Sequence, residues 1–317
     1  MNVLNKEPFF SVVIPLYNKA NFIKDTIESI FDQTFIDFEI IVIDDGSTDE
    51  SVKLISKYND DRLSIFTQKN AGASIARNNG IAKAKGKYIA LLDADDYWYT
   101  NHLFELNKLI LLYPNAGLYC NNYEVFYSES LVKPAQLNFE YDKTCLIVKD
   151  FFKASVTQPV AWTSAVGFTK ADFISVAGFD STLKTAQDLD LWIKMALKFD
   201  VAFNPKITMS YKLYIEDSLS ANEYNTIRYN FNNSYREEEK SNPSLKLYLD
   251  INRYALAIRS LLNNEDDLYK KLKKEIDYKN LNFKQKLLLN FPKFLLRISK
   301  KFHLFLMKNG FYFSAYK

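Results

Sequence analysis

Two cysteines, Cys120 and Cys145, in 317 residues are too few for a disulfide framework or a thiolate metal site, so a reducing, cytoplasmic compartment is expected. Histidine is equally scarce. His102 and His303 match no metal-binding spacing and are read as structural or exposed side chains. No uninterrupted apolar run approaches the ~20 residues that span a bilayer. The first residues, MNVLNKEPFF, lack the basic and then apolar layout of a signal peptide, so the chain is expected to be soluble or peripheral. Acidic residues are absent after Asp277, where Lys279, Lys284, Lys286, Lys293, Arg297, Lys300, Lys301, Lys308 and Lys317 follow. The formal net charge is only +3, so everything before that segment is net acidic. Such an asymmetry directs the tail toward an anionic surface.

Apolar residues make up 48% of the chain, enough to bury the core of one large α/β domain with an appendage. Residues 10–16 and 39–43 read as buried strands, with Ile23, Ile27, Ile30 and Phe31 at helical spacing between them. This predicts a β-α-β unit. Asp44-Asp45-Gly46 then turns the chain, and Ser47 with Glu50 predicts a capping box for a helix through Tyr58. A third strand is expected over 63–67, a helix over 73–85 and a fourth strand over 88–92. The alternation predicts an α/β fold with a doubly wound, mainly parallel sheet flanked by helices, its crevice at the carboxyl ends of the strands. Past Trp98 the pattern loosens into a helix ended by Pro114, a strand or hairpin over 117–127, a strand over 164–169, a short helix stopping at Gly178 and a helix over 188–198. From about residue 227 the spacing of Leu245, Leu249, Tyr254 and Ile258 marks a helical C-terminal extension. Two domains are expected, 1–226 and 227–317.

At the end of the fourth expected strand, residues 87–98 read KYIALLDADDYW, an apolar run that stops at Asp93, Asp95 and Asp96. Ligands bind at that edge of an α/β sheet. Carboxylates two apart on an extended chain point to one side, and crowded charges raise each other's pKa unless a cation sits between them. Hard oxygen ligands favour Mg²⁺ or Mn²⁺, which keep waters and take the rest of their shell from substrate phosphate. A calcium EF-hand loop starting at Asp93 fails, because Trp98 stands at its sixth position and Phe104 at its twelfth. Acidic residues also cap helices, and Asp96 is assigned that role.

Five stretches resemble the inverting family 2 glycosyltransferases with a GT-A fold, in that family's order. They are FSVVIPLYN at 10–18, IIVIDDGSTDES at 40–51, NAGASIARNNGI at 70–81, LLDADD at 91–96, and AGFD with QDLDLW at 177–180 and 187–192. The resemblance implies metal-dependent, inverting transfer of a hexosyl or N-acetylhexosaminyl group. The donor would be a nucleotide sugar, a UDP-sugar by expectation, and the acceptor a hydroxyl of a glycan or lipid-linked glycan in bacterial surface-polysaccharide synthesis. It further implies that Pro15 and Tyr17 line the base pocket and that Asp45 accepts from the imide N–H of uracil. Asn70 and Gly72 would form a donor-site loop, and Arg77 would lie near the diphosphate, where a rigid fork of donors suits phosphate. Asp93 would contact ribose or donor sugar, with Ala94 beside it in the donor site. Asp95, joined by Asp93, would hold Mn²⁺ or Mg²⁺. Asp188 is the implied general base, with Asp190, two residues on, pointing elsewhere on the helix.

The chain departs from the family pattern twice. Gln187-Asp188 replaces the commoner Glu-Asp, which leaves the implied base in place. Tyr211-Lys212-Leu213-Tyr214 stands where relatives carry Tyr-Arg-x-His, so no imidazole is available to the metal. Trp162 and Trp192 are candidates for an acceptor platform, with core packing the assignment for Trp192. A sugar nucleotidyltransferase would need a Gly-rich, Arg-containing loop after the first strand, which IPLYNKAN lacks. A non-catalytic nucleotide-sugar-binding protein would tolerate loss of the metal carboxylate or the base, and both are present. A nucleic-acid partner is not expected, because no nucleic-acid motif accompanies the basic tail. In that tail Leu295, Leu296, Ile298, Phe302, Phe305 and Leu306 form an apolar stripe bordered by Lys293, Arg297, Lys300, Lys301 and Lys308, with Pro292 starting or kinking the helix. Either the stripe lies on an anionic membrane at the inner face of the plasma membrane, or it packs on the protein itself or on a second copy in a homo-oligomer.

Overall fold

Val12, Val13, Ile14, Ile40 and Val42 are fully buried, as strands covered on both faces require. They belong to β1 (Phe10–Leu16) and β2 (Phe38–Asp44), joined through α1 (Ile23–Phe31). The structure, a computed structural model, describes residues 7–128, 130–213 and 224–308. The chain continues through α2 (Ser51–Ile55), β3 (Leu63–Thr67), α3 (Ala73–Lys83), β4 (Tyr88–Leu91), β5 (Tyr97–Trp98), α4 (His102–Leu112) and β6 (Leu118–Ser128). After β7 (Leu131–Pro134), β8 (Leu146–Ile147) and α5 (Phe151–Ala154) come β9 (Val166–Thr169), α6 (Lys170–Ser175), α7 (Gln187–Lys198) and β10 (Val201–Lys212).

The main sheet runs β3-β2-β1-β4-β9-β6-β10-β5. Its first four strands are parallel, with Phe10 opposite both Phe38 and Tyr88, whereas β9 meets β4 and β6 antiparallel. The strand order reverses at β1, between β2 and β4. That topological switch point opens a crevice at the carboxyl ends of these strands. Helix α3 crosses β1 and β2 so closely that a Cβ on Gly80 would stand 2.4 Å from Val13 Cγ1 and 3.2 Å from Ile43 Cγ1.

The capping box expected at Ser47 does not form, and α2 begins four residues later. The Ser47 hydroxyl instead accepts from the Asn18 N–H at 3.1 Å, and its own N–H donates to Asp44 Oδ1 at 2.9 Å. A long-range partner thus took the oxygen that a local cap would have used.

The chain divides into two compact units that are discontinuous in sequence. One contains the residues up to Val125 together with Tyr141–Lys149 and Val160–Lys212; the other contains Phe126–Glu140, Asp150–Pro159 and the residues from Leu213 onward. In the second unit α8 (Asn225–Ser234) and α9 (Glu238–Ser241) precede α10 (Pro243–Leu262), α11 (Asp266–Glu275), α12 (Phe283–Leu289) and α13 (Lys293–Lys308). Asn242 caps α10 by accepting from the Leu245 N–H, and Pro243 fills the first helical position, where a missing N–H costs nothing. Ile251, Tyr254, Leu256 and Ala257 of α10 pack with Leu272, Ile276, Leu281 and Leu289.

The apolar stripe expected on α13 is divided. Leu296 is buried and Leu295 and Leu306 are half-buried, while Ile298, Phe302 and Phe305 are exposed and joined by Phe294. The side chain of Lys308, and all of Tyr214 and Lys317, lie outside the described residues.

Candidate active site

The crevice at the switch point collects the segments that follow β1, β2 and β4. After β1, Pro15 is half-buried and Tyr17 is exposed. Asn18 turns the chain with φ of 50° and accepts from the Thr48 N–H through its Oδ1 at 2.7 Å. The Lys19 N–H donates to Ser51 Oγ at 2.8 Å, and the Ala20 N–H donates to Asp49 Oδ2 at 2.9 Å. The stretch after β2 is therefore a latch. Its hydroxyls and carboxylate hold the loop after β1, and with it Lys19.

Asp45 is 3% exposed. Its Oδ1 accepts from Gln68 Nε2 and the Ala71 N–H, and its Oδ2 from the Gly72 N–H, each at 2.8 Å. Three bonds leave one acceptor position of the four that a carboxylate offers. Asp45 thus fixes the 68–72 loop. Asn70 is exposed on that loop. Gly72 has φ of +93°, a conformation that favours glycine, and a Cβ there would meet nothing within 4 Å. That open side faces no protein.

Arg77, on α3, is 5% exposed, and its Nη2 lies 2.5 Å from Asp93 Oδ1. Phe179 lies beneath the guanidinium at 5.4 Å and is held there by two hydrogen bonds between its backbone and the Asn78 side chain. Arg77 Nε and Nη1 are buried and have no partner. Buried donors without acceptors are costly, and a guanidinium in that state can take acceptors from an anionic ligand. Asp188, second residue of α7, senses both members of the pair. Burial raises its pKa most and Asp93 adds to the rise, while the Leu189 N–H and Arg77 oppose it. Ala186, just before α7, holds a left-handed conformation with φ of 62°, a strain typical of positions the fold must define. Asp190 is buried and ion-pairs with Lys194 at 2.5 Å, one helical turn along.

Beyond Asp93, Ala94 is buried, and its carbonyl accepts from Thr26 Oγ1. Asp95 Oδ2 lies 2.7 Å from Lys19 Nζ. It borders a cavity of about 220 Å³ lined also by Phe22, Asp25, Tyr97, Ser210 and Lys212. Asp96 is not a helix cap, since β5 follows it and Asn101 occupies the position before α4. It is buried, accepts from Ser164 Oγ at 2.5 Å, and leaves Oδ1 without a partner. Burial, then the charges of Asp95 and Asp93, push its pKa well up. Tyr211 meets the Trp162 ring at 4.2 Å, and its hydroxyl pKa is raised by burial and then by Asp96, Asp95, Asp93 and Asp188. Trp192 is buried against Phe168 and Phe179 as core.

Among the described residues no three His, Cys, Asp or Glu side chains converge on one cation position. Asp95 is a partly exposed hard oxygen donor beside a cavity, the type of ligand Mg²⁺ or Mn²⁺ uses when phosphate and water complete the shell. The residues fit such an ion. Asp93, expected to join Asp95 on the metal, directs Oδ1 to Arg77. Lys19 and Ser164 went unrecognised in the sequence, where only the position of Lys19 inside the LYNKAN loop offered a signal, and Tyr211 stood out only as the start of the stretch that replaces Tyr-Arg-x-His.

The model of glycosyl transferase family 2 matches residues 11–171. The chain belongs to that family. It is 30% identical over 217 residues to an uncharacterized glycosyltransferase of Rickettsia typhi, covering 65% of this chain and 64% of that one. A putative colanic acid biosynthesis glycosyl transferase of Escherichia coli, WcaA, is 31% identical over 62% of this chain and 69% of its own. The chain thus spans just under two thirds of the Rickettsia protein. Among solved structures, Staphylococcus aureus TarS 1–349 in complex with UDP-GlcNAc superposes with a TM-score of 0.68, covering 96% of this chain and 93% of that chain at 18% identity. The Pyrobaculum calidifontis mannosyltransferase PcManGT, in complex with GDP-Man and Mn²⁺, gives 0.55 over 95% and 81% at 15% identity. These likenesses show a GT-A fold.

Proposed function

We propose that the chain transfers a sugar from a nucleoside-diphosphate sugar to a hydroxyl with inversion, and that Asp188 is the general base. The observation that carries the reading is the half-buried Asp188 carboxylate in the field of the Arg77–Asp93 pair, at the strand edge that also holds Asp95. A base of raised pKa accepts a proton more readily than an ordinary aspartate does, which suits deprotonation of an acceptor hydroxyl as it attacks. Attack from the face opposite the leaving group inverts the anomeric carbon. Asp190 is tied to Lys194 and takes no part.

On the donor side, Arg77 presents two unpartnered nitrogens, Nε and Nη1, to the diphosphate, and Asp93 orients that guanidinium while its second oxygen serves ribose or sugar. Pro15, Tyr17, Asn70 and Gly72 border the nucleotide. The remaining acceptor position of Asp45 receives the imide N–H of uracil, and a UDP-sugar is the proposed donor, as in the TarS complex. Asp95 would hold Mn²⁺ or Mg²⁺, which supplies Lewis-acid stabilisation of the departing diphosphate. Trp162 and Tyr211 offer an aromatic wall for an acceptor sugar. The acceptor is proposed to be a glycan or lipid-linked glycan of a bacterial surface polysaccharide, a reading supported by the likeness to WcaA, which is named for colanic acid biosynthesis.

Release of nucleoside diphosphate from a panel of UDP-, GDP- and dTDP-sugars, with Mn²⁺ or with EDTA, tests this reading. Metal-dependent turnover of one nucleotide class, with UDP-sugars first, is expected. Binding of no nucleotide sugar by calorimetry would overturn it.

A further inference from the structure

Helix α13 carries three sectors. At 100° per residue, Phe294, Ile298, Phe302 and Phe305 fall within an arc of about 80°. They are 62%, 59%, 61% and 62% exposed. Leu295, Leu296 and Leu306 occupy the adjoining sector, turned toward the rest of the second unit, and Leu296 is 4% exposed. Lys293, Arg297, Lys300 and Lys301 fill the third sector, and all are exposed or half-buried. Helix α12 repeats the scheme, with Phe283 and Leu287 exposed one turn apart and Lys284 and Lys286 beside them. Four large apolar side chains in one solvent-facing row are unusual on a folded surface and mark a site of interaction.

We infer that α12 and α13 dock this protein on an anionic lipid bilayer. The charge selects that occupant. No acidic residue follows Asp277, so nothing in these helices repels phosphate headgroups, while the cationic sector flanks the exposed aromatic row as an interfacial helix requires. A row from residue 294 to 305 is about 17 Å long, and it lies parallel to the interface with its rings among the upper acyl chains. No helix among the described residues is long and apolar enough to cross a membrane, so this contact is made from one side. The second unit would anchor the chain, and a lipid-borne acceptor would suit the sugar transfer proposed above for the first. The docking itself rests on α12 and α13 alone and stands whether or not that activity does.

Flotation of the full chain with vesicles of neutral phosphatidylcholine, or with about one third anionic phosphatidylglycerol added, tests the inference without any activity assay. Binding to the anionic vesicles is expected to be at least about tenfold tighter and to fall steeply as salt rises. Two variants separate the sectors: F294S/I298S/F302S/F305S, and R297E/K300E/K301E. Each is expected to lose most of the binding while melting like the parent, because the replaced side chains face solvent. Equal binding to both vesicle types overturns the inference, as does full retention of binding by both variants. A parent chain that is dimeric by light scattering, with the serine variant monomeric and neither bound to vesicles, assigns the row to a second copy instead and overturns it equally.

Discussion

Lys19 forms an ion pair with Asp95, the carboxylate proposed to hold a divalent cation. The lysine supplies a positive charge there that a metal ion must displace or share. Both side chains are partly exposed, so solvent screens the pair and its worth is modest. The Lys19→Met variant, read by electron paramagnetic resonance of free Mn²⁺ without nucleotide, should therefore bind Mn²⁺ about two- to fivefold more tightly than the parent. An unchanged affinity would mean that Lys19 does not guard the carboxylate. The site was only partly legible in the sequence. The carboxylates of LLDADD and QDLDLW stand at positions that a strand end and a helix start make recognisable. Ser164 reaches the site through tertiary contacts that leave no local pattern. Asp96 was misread for the same reason: its partner is Ser164, 68 residues away, not the next helix.

The elements that read clearly were those with one dominant period. β1, β2 and β4 are apolar on both faces, and α7 and α10 carry their apolar residues at helical spacing. β10 escaped notice because its burial alternates only in part and it contains Pro205, while β5 and β8 are two residues each. Packing between elements gives two tests. Gly80 lets α3 approach β1 and β2, so Gly80→Ala should cost about 1–3 kcal/mol by overpacking against Val13, measured by urea unfolding. A variant as stable as the parent would show that α3 sits farther out. His102 anchors α4 between Trp98, stacked at 4.1 Å, and Thr208 Oγ1, 2.8 Å from its Nδ1. Burial depresses its pKa from 6.5 to about 3. The folded form stays neutral where the unfolded chain takes up a proton, so this contribution is complete above pH 6.5 and is lost as pH falls from there toward 3. The slope approaches about 1.4 kcal/mol per pH unit. Unfolding measured between pH 7 and 5.5 should show the decline in the parent and a flatter profile in His102→Gln, and equal slopes would remove His102 as its source.

At the scale of the whole molecule, the net negative charge lies before Asp277 and the cationic, exposed-aromatic surface lies in α12 and α13. The proposed sugar transfer and the proposed docking fall in different units of the chain, so each can be altered alone. The central claim concerns the first unit: one carboxylate on α7 accepts the acceptor's proton, and its neighbour two residues on does not. It is tested most directly by comparing Asp188→Asn and Asp190→Asn in donor binding by calorimetry and in sugar transfer. Donor affinity should stay within about threefold of the parent in both, since neither side chain is assigned to the nucleotide. Transfer by Asp188→Asn should fall by about 10²-fold or more, whereas Asp190→Asn should keep most of it. An active Asp188→Asn enzyme beside an inactive, folded Asp190→Asn enzyme would contradict the account.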